Sequence, residues 1–295
     1  MNGDGRWPLD ALHRPPYIGS MRRSARSAKL LLTRDALELM YQNYPSPKNA
    51  VDIFKGAWFS RLPEVSGIAL EAGTHGLFDD EKVLWADEQA GGFKGLNVLE
   101  LGPLEGGHSY LLSRLGAARI LSVEANARLF LKCLITKELY KLDRCSFLLG
   151  NFLKFMAETP ERFDFCLASG VLYHMANPPE LISLVAKVSN NAMFWTHYYD
   201  RDLIQRRMPY LQRQRFRTAA SATYEGFTYT RHERRYGVRL RSLQFIGGTA
   251  TYSCWMELED IVAALKYFGF KTVKTNFHEK EHVNGPAVCF ACSKQ

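Results

Sequence analysis

Residues 98–112 read VLELGPLEGGHSYLL. The apolar run Val98 to Leu101 passes directly into a loop with glycines at 102, 106 and 107, and the loop leads into a helix-forming stretch. A strand that enters a glycine loop and then a helix places the loop at the carboxyl edge of a parallel sheet, where open α/β folds bind ligands. Glycine has no Cβ, so a ligand can approach the backbone of such a loop closely.

Reading outward from this unit, the same alternation continues. RILSVEA (119–125) is a second strand, followed by a helix with apolar residues at helical spacing over ARLFLKCLITKELYKL (127–142). CSFLLG (145–150) and FDFCLAS (163–169) read as strands three and four. NPPELISLVAKVS (177–189) has prolines in its first turn and an Asn cap, a helix start, and NAMFWTHYY (191–199) is a fifth strand. Strands that are apolar throughout and alternate with helices predict a parallel sheet covered on both faces. MELEDIVAALKYFGF (256–270) predicts an amphipathic helix ended by Gly269, and KTVKTNF and PAVCFAC a closing strand pair, making seven strands. Before the core, AVDIFKGAWFSRLP (50–63) reads as helical. DDEKVLWADEQAGG (79–92) reads as a helix capped by Asp79 or Asp80 and stopped by Gly91 and Gly92. The chain thus divides into a mobile basic arm (1–38), a helical N-terminal extension or lid (39–95), and a core domain (96–295) carrying an insert at 201–244.

The loop chemistry separates two nucleotide-type ligands. A dinucleotide loop requires Gly-x-Gly-x-x-Gly, and here Leu104 stands where the second glycine is needed. Glu100 and Glu105 bracket the glycines and would repel a pyrophosphate. S-adenosylmethionine carries a sulfonium and an ammonium but no phosphate, so it suits such a loop. Glu124, at the end of the second strand, can accept hydrogen bonds from both ribose hydroxyls, a contact shared by dinucleotide enzymes and methyltransferases. Asn151, after the third strand, reads equally as an adenine neighbour or as the cap of the next helix.

Taken together, VLELGPLEGGHSYLL, SVEAN, LGNF and ASGVLYHMANPPEL resemble the motifs of the class I S-adenosylmethionine-dependent methyltransferases, in order and at their spacing. The resemblance covers roughly residues 96–200 well and FHEKEHVNGPAVCFA (277–291) more loosely. It implies a Rossmann-like fold with a mostly parallel seven-stranded sheet, and a cofactor set of Glu100, Gly102, Pro103, Gly106, Glu124, Ala125, Asn151, Phe152 and Ser169. The element GVLYH (170–174) is most similar to the group around the tRNA wobble-uridine carboxymethyltransferase. Pro103-Leu104-Glu105 departs from the usual glycine-rich loop, and the plain cofactor is expected instead of the carboxylated form used by that tRNA enzyme.

Methyl transfer needs an acceptor positioned in line and, for oxygen or nitrogen, a base. His174 is the first candidate base, with Tyr173 beside it and His197 as the second; each also reads as a residue that shapes a loop or fills core. Lys55, Trp58 and Arg61 are candidates to fold back over the cofactor carboxylate.

The net charge of +8 has one source. Residues 201–244 hold eleven arginines against Asp202, Glu225 and Glu233, which leaves the rest of the chain near neutral. Tyr210, Phe216, Tyr224, Phe227, Tyr229 and Tyr236 are interleaved with the arginines. The segment reads as a lid for a small, anionic acceptor, as an RNA-gripping surface, or as a solvated helical face. The functional order is a small-molecule or carbohydrate methyltransferase, then an RNA methyltransferase, then a non-catalytic cofactor-binding protein. The six cysteines sit mostly in apolar runs and none forms a zinc pattern with histidine, so no metal is expected. The chain lacks an 18-residue apolar stretch and a secretory leader, which points to a cytoplasmic protein and to no membrane partner.

Overall fold

The computed structural model describes residues 40–295 apart from 66, 68, 71 and 244, so the expected arm at 1–38 lies outside the described residues. Residues 46–295 form one unit. Its first helix, α1 (Pro47–Asp52), is short, and α2 spans Glu81–Ala90. The Asp80 side chain caps α2 by accepting from Lys82 N, and Gly91 ends it in a left-handed conformation. Then follow β1 (Asn97–Leu101), α3 (Gly107–Arg114), β2 (Arg119–Glu124), α4 (Ala127–Tyr140), β3 (Cys145–Leu149), α5 (Phe152–Glu158) and β4 (Phe165–Ser169). A 3₁₀ turn, Leu172–His174, leads to α6 (Pro178–Val188) and β5 (Asn191–His197).

These strands and the last two of the chain, β9 (Thr272–Glu279) and β10 (Ala287–Ser293), make one seven-stranded sheet in the order β3-β2-β1-β4-β5-β10-β9. β1 pairs in parallel with both β2 and β4, while β10 runs antiparallel to β5 and β9. The order reverses between β1 and β4, so a crevice opens at their carboxyl ends. The central strands are buried along nearly their whole length, Val98, Leu99, Ile120, Leu167 and Phe194 completely so. That burial on both faces is why each reads as a continuous apolar run.

The expected helix over 50–63 is a correction. The helix stops at Asp52, the next donors bond in tight turns (Phe54 N to Val51 O, Lys55 N to Asp52 O, Ala57 N to Phe54 O), and further on the Glu105 carboxylate accepts from Phe59 N and Ser60 N, at 3.0 and 2.8 Å. Asn177 starts α6, but its side chain makes no cap bond; its Oδ1 instead accepts from the Tyr229 hydroxyl.

The insert departs from a helical face. Two short helices, α7 (Arg201–Arg207) and α8 (Tyr210–Arg213), precede a hairpin of β6 (Ala220–Tyr224) and β7 (Phe227–Arg235). β7 also pairs with β8 (Tyr252–Trp255), giving a separate three-stranded antiparallel sheet. The final helix, α9 (Leu258–Tyr267), ends just before Gly269, whose φ is +106°. Among the described residues no helix is long and apolar enough to cross a membrane.

Candidate active site

A cavity of about 470 Å³ opens at the carboxyl edge of the sheet, walled by the loops after β1, β2, β3 and β4 and by Trp195 and His197 at the end of β5. At the end of β1, Gly102 adopts φ +64°, and a Cβ built on it would stand 2.9 Å from the Val171 side chain. Leu104 also has a positive φ, so this loop is tightly folded. Glu124 ties it to the neighbouring turn: one carboxylate oxygen accepts from Asn126 N at 2.8 Å and the other from Leu104 N at 3.3 Å. Burial raises the Glu124 carboxyl to about 6, against the lowering by these backbone donors. Pro103, Ala125, Phe152 and Ser169 line the same cavity. So does Asn151, which does both things the sequence left open, since its side chain also caps α5 by accepting from Leu153 N.

Two members of the sequence-predicted cofactor set are elsewhere. Glu100 points into the interior, where the hydroxyls of Ser109 and Ser122 donate to one of its oxygens, and burial pushes its carboxyl up. Gly106 faces α4, and an added Cβ would meet the Thr136 side chain at 3.2 Å. Glu105 is fully buried in an ion pair with Lys132 at 2.6 Å. The acids that bracket the loop in sequence therefore hold it in place from behind. Nor do Lys55, Trp58 and Arg61 line the cavity: Trp58 is buried and donates to Val51 O, and Arg61 pairs with Asp79 on the surface.

Three residues with no sequence motif take the wall instead. Asp80 accepts from His108 Nε2 at 3.0 Å and pairs with Lys82 at 2.8 Å, and all three line the cavity. Burial alone would raise the Asp80 carboxyl, but His108 and Lys82 hold it well below the usual carboxylate range. His108 lies in the quoted GGHSYLL run, yet only the fold brings it to Asp80, 28 residues earlier.

Tyr173, His174 and His197 come together at the other end of the cavity. The Tyr173 ring is 4.2 Å from that of His174 and 4.6 Å from that of His197, and His197 stacks on Trp255 at 5.2 Å. Hydrogen-bond accounting fixes the tautomer of His197. His197 Nδ1 faces the carbonyls of Gly285 and Pro286 at 2.9 and 3.2 Å. Carbonyls only accept, so Nδ1 carries the proton and Nε2 presents a lone pair. Among the described residues Nε2 has no protein partner. The arrangement at His174 differs. Its Nδ1 lies 2.9 Å from the Tyr236 hydroxyl, which itself accepts from Gly248 N. The same hydroxyl donates to the His174 carbonyl at 3.5 Å, so either tautomer of His174 satisfies it. Burial lowers His174 to about 3 and His197 to about 4, so both rings are neutral near pH 7. Burial also raises the Tyr173 hydroxyl, which stays protonated.

The chain at 246–249 closes over this end. A Cβ on Gly248 would fall 2.3 Å from the His174 carbonyl, so only glycine permits this approach. His282 lines the cavity from the β9–β10 connection.

The cavity has what S-adenosylmethionine requires: a glycine cradle at 102 with no room for a side chain, a buried carboxylate at 124 facing the space, and an amide at 151. Residues 93–230 match the family model of a methyltransferase domain. No curated protein matches the chain. Among solved structures, it is similar to the N-terminal domain of EvdMO1 with S-adenosylhomocysteine bound, at 21% identity and a TM-score of 0.64, covering 87% of this chain and 100% of that one. The same domain in the presence of S-adenosylhomocysteine and D-fucose gives 21% and 0.64, over 84% and 95%. EvdMO1 itself gives 20% and 0.52, over 79% of this chain and 45% of that chain. These likenesses show the fold. With the seven-stranded Rossmann-like sheet and a cavity at its switch point that suits the cofactor, residues 93–230 carry an S-adenosylmethionine-dependent methyltransferase domain.

Proposed function

We propose that the enzyme methylates a small, hydroxyl-bearing acceptor of sugar size, held between Tyr173, His174 and His197. One observation carries this reading: the cavity is about 470 Å³ and must take the cofactor as well as the acceptor. That volume falls within the range of small-molecule sites, ~300–1,000 Å³. Trp195, His282 and the glycines at 247 and 248 line the acceptor side and narrow it, which supports a compact acceptor over a polynucleotide. The presence of D-fucose with the EvdMO1 domain agrees with it.

S-adenosylmethionine, when bound, supplies a methyl group on a sulfonium leaving group. The chain's own residues do the rest. Gly102, Pro103, Glu124, Asn151 and Ser169 would hold the cofactor, with Glu124 taking the ribose hydroxyls. His197 Nε2, held as a lone pair by its carbonyl-bound Nδ1, would accept the proton the acceptor loses. The His174 ring would hold the acceptor by a hydrogen bond, and in this reading His197 takes the base role for which the sequence puts His174 first. The likeness to the wobble-uridine group rests on GVLYH, whose Tyr173 and His174 serve a small acceptor equally well in this reading.

The direct test is release of S-adenosylhomocysteine from a panel of free and phosphorylated sugars, with bulk tRNA in parallel. Turnover on a sugar is expected. Turnover confined to tRNA would overturn the small-acceptor reading.

Glu124 makes a second test, through pH. Its carboxyl titrates at about 6, and only the ionised form accepts from both ribose hydroxyls. Cofactor affinity is therefore full above pH 6 and falls as pH drops through it, by up to about tenfold per unit. Calorimetry with S-adenosylhomocysteine from pH 5 to 8 checks the slope. Glu124→Gln should bind about 10- to 100-fold more weakly at pH 8 and show no slope. A parent protein with flat affinity over this range would place the ribose contact elsewhere.

A further inference from the structure

A second cavity of about 450 Å³ adjoins the first and shares His174, Leu104, Ile246 and Gly247 with it. Its walls are basic: Arg128, Lys132, Arg234 and Arg239 line it, against a single acid, Glu105. That acid is already taken, since its carboxylate pairs with Lys132 and accepts from two backbone amides.

Arg234 is the unusual member. It is only 8% exposed, yet among the described residues its guanidinium has no ion pair and no hydrogen bond, and its Nε is buried without a partner. It lies between aromatic faces, 5.7 Å over Phe216 and 5.2 Å over Trp255. Arg215 has a buried, unpartnered nitrogen too. The acid next in sequence, Glu233, pairs with Arg217 and Arg235 instead. Burial, and then the charges of Arg215 and Arg239, push Arg234 down to about 10, so the guanidiniums repel one another with nothing between them. A buried cation normally has a counter-ion, because leaving it bare costs far more than an exposed charge does. Arg234 also stands close enough to act electrostatically on Tyr173, His174 and His197.

We infer that the second cavity is an anion subsite in which Arg234, with Arg239, receives a phosphate or carboxylate carried by the acceptor, while the acceptor's reacting hydroxyl reaches past His174 into the first cavity. This deepens the reading under Proposed function and rests on it for the acceptor's hydroxyl. The anion site itself stands on the arginines alone. It narrows the substrate class to small acceptors with an acidic group, such as sugar phosphates, nucleotide-linked sugars or sugar acids.

Calorimetric titration of the full chain with inorganic pyrophosphate, and separately with malonate, tests the site at about 0.15 M salt, where surface pairing is largely screened. One saturable site is expected, with pyrophosphate the tighter if the acceptor is phosphorylated and malonate the tighter if it is a carboxylic acid. Arg234→Met should weaken that binding by about tenfold or more, the scale of one lost charge-assisted contact. Arg207→Gln, at an exposed arginine paired with Glu281 on α7, should change it by less than about twofold. Binding of S-adenosylhomocysteine by each variant, measured in parallel, shows that the fold and cofactor half are intact; its absence in the parent would instead count against the methyltransferase reading. Should Arg234→Met not fold, Arg239→Gln takes its place, with the same loss expected. The inference is overturned if the parent takes up neither anion, or if a folded Arg234→Met or Arg239→Gln holds them as tightly as the parent.

Discussion

Gly102→Val should lower S-adenosylhomocysteine affinity by about 100-fold or more while the chain still folds. Two costs combine. The backbone at 102 has φ +64°, which a β-branched residue adopts only under strain. The first added carbon would also stand 2.9 Å from the Val171 side chain, closer than carbon atoms approach. Relief requires the glycine loop or the turn at 171 to move. The loop carries Pro103 and Leu104, and the turn leads into Tyr173 and His174, so either movement deforms the cavity wall. A contrasting glycine separates this from general loss of stability. Gly106→Ala is equally strained at φ +82°, but its Cβ faces Thr136 on α4, away from the cavity. It should lower the melting temperature by several degrees and leave affinity within about threefold. Circular dichroism with calorimetry on both variants gives the answer. A folded Gly102→Val with the parent's affinity would remove the loop from the cofactor site.

The difference between those two glycines marks what could be seen in the sequence and what could not. The architecture was legible because a two-sided parallel sheet demands uninterrupted apolar strands, and NVLEL, RILSVE and FCLAS supply them. The crevice was legible because it must lie where β1 meets its glycine loop. Which loop residues face the ligand was not. In a sheet covered on both sides, period-two alternation carries no polarity, so Glu100 shows no outward sign that Ser109 and Ser122 hold it inside. Glu105 looked like a partner for a cationic ligand; Lys132, 27 residues later, cancels it. Asp80 was readable as a helix cap, a local signal, but its second role depends on His108 arriving from another helix. Arg234 is one of eleven arginines in its segment, and only the pairing of β7 with β8 and the packing of Phe216 and Trp255 single it out.

The choice between the two histidines yields the second large effect. His197→Phe should lower kcat by about 10²- to 10⁴-fold, the usual worth of a general base, with S-adenosylhomocysteine affinity unchanged. Phenylalanine keeps a ring against Trp255 and Tyr173 and removes both nitrogens, so the packing survives while the lone pair is lost. His174→Gln should cost only about tenfold, mainly in KM, because the glutamine amide can donate to or accept from the Tyr236 hydroxyl and keeps a polar group at the cavity wall. The parent's pH profile carries a third sign. His197 titrates at about 4, held there first by burial and next by the nearby His282. A base must be unprotonated to work, so kcat should stay level as pH falls from 7 to 5 and drop only as it approaches 4. An ordinary imidazole would begin to fail near 6.5. These measurements use the acceptor that the sugar panel identifies, read as S-adenosylhomocysteine release. If His174→Gln abolishes turnover and His197→Phe leaves it intact, the proton leaves through His174 instead.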